Sequence, residues 1–355
     1  MDNKNNDKIK PGKYVLSIAF MLALIVITYY FIFRNYELSS LIATLKTVDI
    51  RYIIVGVVFA CIFISGNGLC IREIMKSLGC KFPISRAIIY SSIDFYYSAI
   101  TPSATGGQPV MAYYMSKDGL PISKSSLAMV LTVMEYMLSL VILAIIAICC
   151  VPQFVFGAET IFIVLLIIGL LLATLLSLFC ALAMFKGQWL AKPCKWLINV
   201  GAKLHIIKNK EKLINSGRET LGEYRNAASF MRHNPKVLIK VMTIAVLQRI
   251  ALFAVSWCVY RSFGLTDASF VEIVAIQTLI TTATTTIPLP GAVGVSEAIF
   301  ILMYDHIYTD PNMRATAMVL TRVVSFYFCV LLCGGLTFYN SIRLMIKDAR
   351  SKKHS

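Results

Sequence analysis

Residues 281–300 read TTATTTIPLPGAVGVSEAIF. The stretch lies in an uncharged tract long enough to enter a membrane. It nevertheless carries five Thr, two Pro, two Gly and one acid, Glu297. Proline lacks an N–H and clashes with the preceding turn, so Pro288 and Pro290 are expected to end a helix. Gly291 and Gly294 tolerate positive φ and are expected to turn the chain. Ser296 is placed to cap a helix leaving the turn. The pattern predicts a helix that enters the apolar layer, breaks, and comes back.

A second stretch of this kind occurs upstream, TPSATGGQPV at 101–110. Pro102 is expected to stop one helix, Gly106 and Gly107 to turn the chain with positive φ, and Pro109 to sit in the first turn of the next helix. Thr101, Ser103 and Thr105 offer hydroxyls to the backbone groups that such a break frees. Two readings of these breaks stay open. Either they are packing kinks satisfied internally, or they are half-helices whose N-termini, rich in unpaired N–H groups, face an anion such as a phosphate.

The rest of the chain supplies the setting. It has 355 residues, 58% of them hydrophobic, and a mean hydropathy of +0.74. Crossings of roughly bilayer length are expected at about 14–33, 52–71, 125–150, 160–185, 237–260 and 313–341, the first as a retained signal-anchor helix. The broken segments are 87–116 and 273–304. If both enter and return on one side, 27 of the 34 basic residues lie in cytoplasmic segments, five lie outside, and Arg249 and Arg322 lie within spans. If 87–116 crossed fully, the basic loop 186–236 would flip outward, against the positive-inside rule. The expected fold is therefore an all-α integral membrane protein, a single polytopic domain over 1–355. It has six full crossings and two re-entrant helical hairpins, with both termini cytoplasmic.

Spacing adds an inverted-topology repeat, with repeat A at about 50–150 and repeat B at about 237–341. Gly107 precedes Glu135 by 28 residues, and Gly294 precedes Arg322 by the same interval. Transporters built from such repeats place discontinuous helices around a site near the midplane.

Five ionisable residues lie in apolar stretches: Asp94, Glu135, Arg249, Glu297 and Arg322. Each costs about 2.5–3.5 kcal/mol at a helix centre on insertion scales, so each needs a partner or water. Glu297 is expected to pair with one of the two arginines. Structural pairing that fixes helix register and a hydrated groove for a lipid headgroup are the competing readings.

Other classes are less well supported. The ten Cys form no CxxC or Cys/His cluster, Cys329 and Cys333 read as packed thiols, and the four His are dispersed. No metal or cofactor is expected, and no GxxxxGK phosphate loop occurs. The net charge of +16 reads as orientation and contact with anionic lipid rather than nucleic acid. Within 186–236, Trp189, Trp196, Leu197, Val200, Leu204 and Ile207 alternate with lysines as in a helix lying on the membrane surface, with a solvated basic linker as the alternative. Asn234–Pro235 reads as the cap and first position of the next span.

At TPSATGGQPV and IPLPGAVGVSEAIF the chain resembles the transmembrane region of the lysylphosphatidylglycerol synthetase/flippase family, also called multiple peptide resistance factors. The resemblance covers about 14–341. It implies a bacterial cytoplasmic membrane and movement of aminoacylated phosphatidylglycerol to the outer leaflet, which protects against cationic antimicrobial peptides. Family members also carry a soluble transferase domain, and that domain is absent from this sequence. The expectation is therefore a flippase rather than an enzyme. Anionic and aminoacylated phospholipids would be its partners, with a separate synthase and a second copy of the chain as the protein partners this reading allows. A membrane enzyme of the lysyltransferase family and a small-solute transporter are the alternatives. Relatives often follow the acid after the first hairpin with a basic residue, whereas Glu135 is followed by Tyr136. Moving a lipid of charge +1 outward opposes ~2.3 kcal/mol per 100 mV. Synthesis inside or a coupled ion must then drive it, with Asp94, Glu135 and Glu297 as the candidate acids.

Overall fold

The computed structural model describes residues 43–101, 104, 106–185, 222–285 and 287–353. The predicted span 14–33, the amphipathic stretch 189–210, and Pro102, Ser103 and Thr105 lie outside the described residues. All regular structure among the described residues is helical. Among the described residues, five helices are long and apolar enough to cross a bilayer: Ile50–Ser77, Ile122–Cys150, Thr160–Met184, Pro235–Ser262 and Pro311–Ile346. Lipid can hydrogen-bond no backbone, so helices with every internal bond closed are the form such a composition takes. Large apolar side chains stay exposed along them, among them Ile161, Ile167, Leu171 and Phe179 on the 160–185 helix. In a bilayer that surface faces acyl chains.

The same order of elements occurs twice. Ile50–Ser77 is followed by Ile84–Ile100, a break, Gly107–Lys117 and Ile122–Cys150. Pro235–Ser262 is followed by Phe270–Thr284, a break, Val295–Met303 and a long helix. That last helix runs from Pro311 through a π-turn at Val323–Tyr327 to Lys353. Helices 50–77 and 235–262 form the most extensive packing of the molecule, and they run antiparallel. The Asp49 N–H donates to the Ser262 carbonyl at 2.8 Å, Gly56 faces Cys258, Gly66 faces Gln248, and the Cys70 thiol reaches the Val241 carbonyl at 3.5 Å.

Both broken segments fold back on themselves. In the first, Gly107 lies against Asp94 and Ser98, and the Tyr90 hydroxyl donates to Asp118 at 2.6 Å. In the second, Tyr304 at the far end donates to the Ile273 carbonyl near the start, at 3.2 Å. Phe300 and Met303 share a buried cluster with Ile276, Leu279 and Ala283. The second hairpin begins with a reciprocal cap: Ser269 Oγ accepts from the Glu272 N–H, and the Glu272 carboxylate accepts from the Ser269 N–H. Thr278, Thr281, Thr282 and Thr284 each donate to the carbonyl four residues earlier, so this Thr-rich arm hides its hydroxyls from an apolar surround.

One boundary behaves differently from its expected chemistry. The 235–262 helix does start at Pro235, but the Asn234 side chain does not cap it. Its amide donates backward to the Phe230 carbonyl at 2.8 Å, closing the preceding helical segment.

Candidate functional site

The end of the first hairpin's entering arm meets the second break. Ala99, at the end of the first arm, packs with Val293 of the second break and with Phe326 and Val330 of the last helix in one buried cluster. Phe95 adds a ring contact to Phe326 with centroids 6.5 Å apart. The candidate site is built on either side of this junction.

On the second-half side the break is held by an ion pair. Helix 270–284 stops before Pro288 and Pro290, and Gly291 and Gly294 take φ of 60° and 95°. Glu297, fully buried, sits three residues into the return helix. One of its oxygens accepts from the Gly294 N–H at 2.7 Å and the Ser296 hydroxyl at 2.8 Å. The other accepts from Arg322 Nε at 2.8 Å, which makes Arg322 the arginine that pairs with Glu297. A second guanidinium nitrogen of Arg322 donates to the Gly291 carbonyl at 2.9 Å. Phe326 lies under the guanidinium at 4.5 Å. Acid and base are therefore spent on the backbone of the turn as well as on each other. Ser296 does not cap the return helix as expected. It lies inside that helix, where its hydroxyl donates to the Ala292 carbonyl and to Glu297, and Glu297 does the capping.

On the first-half side the fastening is lighter. Thr101 Oγ1 accepts from the Gly106 N–H at 2.9 Å and donates to the Tyr97 carbonyl at 2.7 Å. Pro109 lies in the first turn of helix 107–117, as expected. Gly106 and Gly107 do not supply positive φ. Gly106 is at φ −83° and Gly107 is already helical, whereas Ala104 takes φ 52°. The glycines are needed for close approach. A Cβ on Gly106 would meet Thr101 Cγ2 at 2.6 Å, and one on Gly107 would collide with Ser98 Oγ and with the carbonyl and carboxylate of Asp94.

Asp94 therefore lies against the N-terminus of the first return helix, as Glu297 does at the second. Of the two readings left open for these breaks, internal satisfaction describes the second break, where Glu297 accepts from the Gly294 N–H, and at the first the Asp94 carboxylate lies beside the helix end. Each has a carboxylate of the chain itself in that place, where the partial positive charge of the helix end favours it.

Glu135 and Arg249 complete this side. Glu135 on helix 122–150 interacts electrostatically with Asp94 and with Arg249. Arg249 makes no ion pair within 4 Å among the described residues. Its Nε donates to Ser139 Oγ and another nitrogen to the Tyr136 carbonyl, both at 2.9 Å, and its guanidinium stacks 3.6 Å over the Tyr136 ring. The guanidinium beside Tyr136 thus comes from a neighbouring helix, with the Tyr136 ring as its seat. Asp94, Glu135, Arg249 and Glu297 are all buried. Among the described residues, these charges occupy the packed interior.

The structure brings together Glu297, Arg322, Gly291, Gly294 and Ser296 in one group, and Asp94, Gly107, Glu135 and Arg249 in another. It adds residues that the sequence reading missed. Ser98, Ser139 and Tyr136 carry no charge and stand out only by their distance from the buried acids and arginine. Gln248 is one residue from Arg249, and its buried side-chain oxygen has no hydrogen-bond partner among the described residues. No cluster of three or more His, Cys, Asp or Glu able to hold a metal occurs among the described residues.

The chain matches the family described as the lysylphosphatidylglycerol synthase TM region over residues 14–333. It belongs to that family. It is also 26% identical, over 236 residues, to a protein described as a UPF0104 membrane protein from Methanothermobacter thermautotrophicus. That alignment covers 64% of this chain and 67% of the relative. The family match includes both breaks and every residue of the two buried clusters.

Proposed function

We propose that this family member is a lipid flippase in which two re-entrant hairpins, entering from opposite faces of the membrane as an inverted repeat, meet and carry a lipid headgroup between them. The observation that carries the reading is the meeting of helix 84–100 with the second break, where Ala99 and Val293 share one buried cluster, with buried charges on either side. The antiparallel course of helices 50–77 and 235–262 supports the opposite orientation of the halves. Irregular backbone at membrane depth survives only where protein or a wet cavity covers it. Buried ionisable residues in such segments mark substrate or ion pathways.

The cargo we assign is aminoacylated phosphatidylglycerol, with lysyl-phosphatidylglycerol as the first lipid to test. It would move from inner to outer leaflet of a bacterial cytoplasmic membrane and supply resistance to cationic antimicrobial peptides. The lipid would come from a separate synthase. The positively charged aminoacyl group suits a path whose two helix ends already hold carboxylates.

Reconstitution tests this directly. Liposomes containing lysyl-phosphatidylglycerol are exposed to a membrane-impermeant amine reagent, and labelling beyond the outer-leaflet pool is followed in time. The protein is expected to expose the inner pool, and Glu297→Gln to slow exposure at least tenfold while still expressing and eluting as a single species. No labelling of the aminoacylated lipid by the amine reagent, and no cleavage of the unmodified lipid's headgroup diol by impermeant periodate, above protein-free liposomes overturns the flippase reading. Wild-type rates in Glu297→Gln remove that residue from the path.

A further inference from the structure

Two buried acids on the first-half side are incompletely satisfied. Among the described residues, Asp94 Oδ1 and Glu135 Oε2 have no hydrogen-bond partner, although both residues are more than nine-tenths buried. A buried carboxylate left without donors is costly. Arg249, whose charge acts on Glu135, donates to Ser139 and Tyr136 and makes no ion pair with either acid among the described residues.

The groups facing the pair can be named element by element. Helix 50–77 presents Asn67 to Asp94 and Cys70 to Glu135. Helix 235–262 presents Arg249. The last helix brings the Cys333 thiol within electrostatic reach of Asp94. Helix 107–117 contributes its N-terminus through Gly107. With both acids ionised the cluster carries two negative charges against one guanidinium. Like charges that interact in a buried site resist ionising together.

We propose that Asp94 and Glu135 share one exchangeable proton, making the first half a proton-binding site that couples headgroup export to proton entry. A proton adds to one carboxylate from outside water and leaves to inside water, with no other bond changed. A proton fits better than a metal ion, which would need a shell of oxygens around it. Oδ1 and Oε2 are the two places where a carboxyl hydrogen or its acceptor is missing. The coupling rests on the flippase reading; the proton site itself does not.

The experiment separates the two. Infrared pH-difference spectra of the full chain in lipid nanodiscs should show the carbonyl band of a buried protonated carboxyl group. The band should vanish in both Asp94→Asn and Glu135→Gln, and persist in Asp118→Asn, which lies outside the cluster. No such band in wild type at any pH where the protein stays folded overturns the site, whatever the variants do. Survival of the band in both variants does the same. In proteoliposomes, acidifying the side that receives the lipid should raise the initial export rate severalfold. A rate indifferent to the gradient, with the band present, overturns the coupling and leaves the flippase reading standing. A band in a protein that moves no lipid overturns the flippase reading and leaves the proton site standing.

Discussion

The two halves share an order of elements but treat their buried acids in opposite ways. In the second half, Glu297 has three donors and Arg322 is tied to both the acid and the turn that follows Pro290. On the first-half side, Asp94 and Glu135 each keep an oxygen without a partner among the described residues, and Arg249, which comes from the second half's helix 235–262, is committed to neutral oxygens. A closed network resists rearrangement because every member would lose something. A network with spare acceptors can change its protonation or its contacts at little loss. The second half therefore reads as the fixed side of the junction, and the first as the side that can change state.

The largest expected effect tests the closed side. Arg322→Met leaves Glu297 as an uncompensated buried charge, which costs about 3–5 kcal/mol. It should lower the thermal unfolding midpoint in detergent sharply. Arg249→Met removes hydrogen bonds to a hydroxyl and a carbonyl, together with the stacking on Tyr136. It should cost about 2 kcal/mol. Equal losses in the two variants would mean that Glu135 leans on Arg249 as heavily as Glu297 leans on Arg322, and the contrast between the halves would fail.

The next effect separates two uses of glycine at the breaks. Gly107→Ala pushes a methyl into the Asp94 carbonyl, a backbone obstacle that cannot swing away. Gly291→Ala meets the Phe326 ring and also holds alanine at φ 60°. Each should cost about 1–3 kcal/mol. The sharper result is in the double variants. Phe326→Leu should recover part of the loss in Gly291→Ala, leaving the backbone strain. Ser98→Ala should recover little in Gly107→Ala, because the carbonyl remains. Unfolding midpoints of the four proteins decide it, and full rescue of Gly107→Ala would show that the first hairpin can open at its tip without loss.

The outline of this molecule was legible because lipid simplifies the code. Apolar runs of bilayer length, two of them free of charge, announced five spans that recur as helices, and Pro288 and Pro290 announced the end of an arm that does stop at Thr284. Charges in apolar tracts announced the buried cluster, and Glu297 found an arginine as a buried acid must. What sequence spacing could not supply was occupancy. Glycines at a break are consistent with positive φ or with close approach, and only the position of Asp94 shows that Gly107 serves the second. A serine at the start of a helix can accept from the backbone or donate elsewhere. The neighbouring Glu297 decided against the cap at Ser296. Helix N-termini looked open to an anion because the carboxylates that fill them lie three residues further on in one case and thirteen residues back in the other.

The smallest effect lies at the exit of the first hairpin, where the halves are tied together. Asp118 accepts from the Tyr90 hydroxyl at 2.6 Å and from one Arg343 nitrogen through both its oxygens, at 2.7 and 2.9 Å. The second hairpin's exit has its own tie, Asp305 with Arg314. Burial works against charge on Asp118, but the Tyr90 hydroxyl and the Arg343 guanidinium outweigh it and hold the carboxyl below its ordinary value. A lowered folded-state value means that the bound carboxylate adds stability above the unfolded pKa of about 3.9. That contribution fades as pH falls through the folded value. Arg343 is part-exposed, so Arg343→Ala should cost only about 1 kcal/mol at neutral pH. The gap between wild type and variant should narrow below about pH 4, as the acid is neutralised in both. A gap that stays constant down to the lowest pH the protein tolerates would mean that Arg343 contributes through packing of its aliphatic stem. The link between the first hairpin and the last helix would then rest on Tyr114 and Ser341, whose hydroxyls meet at 2.8 Å.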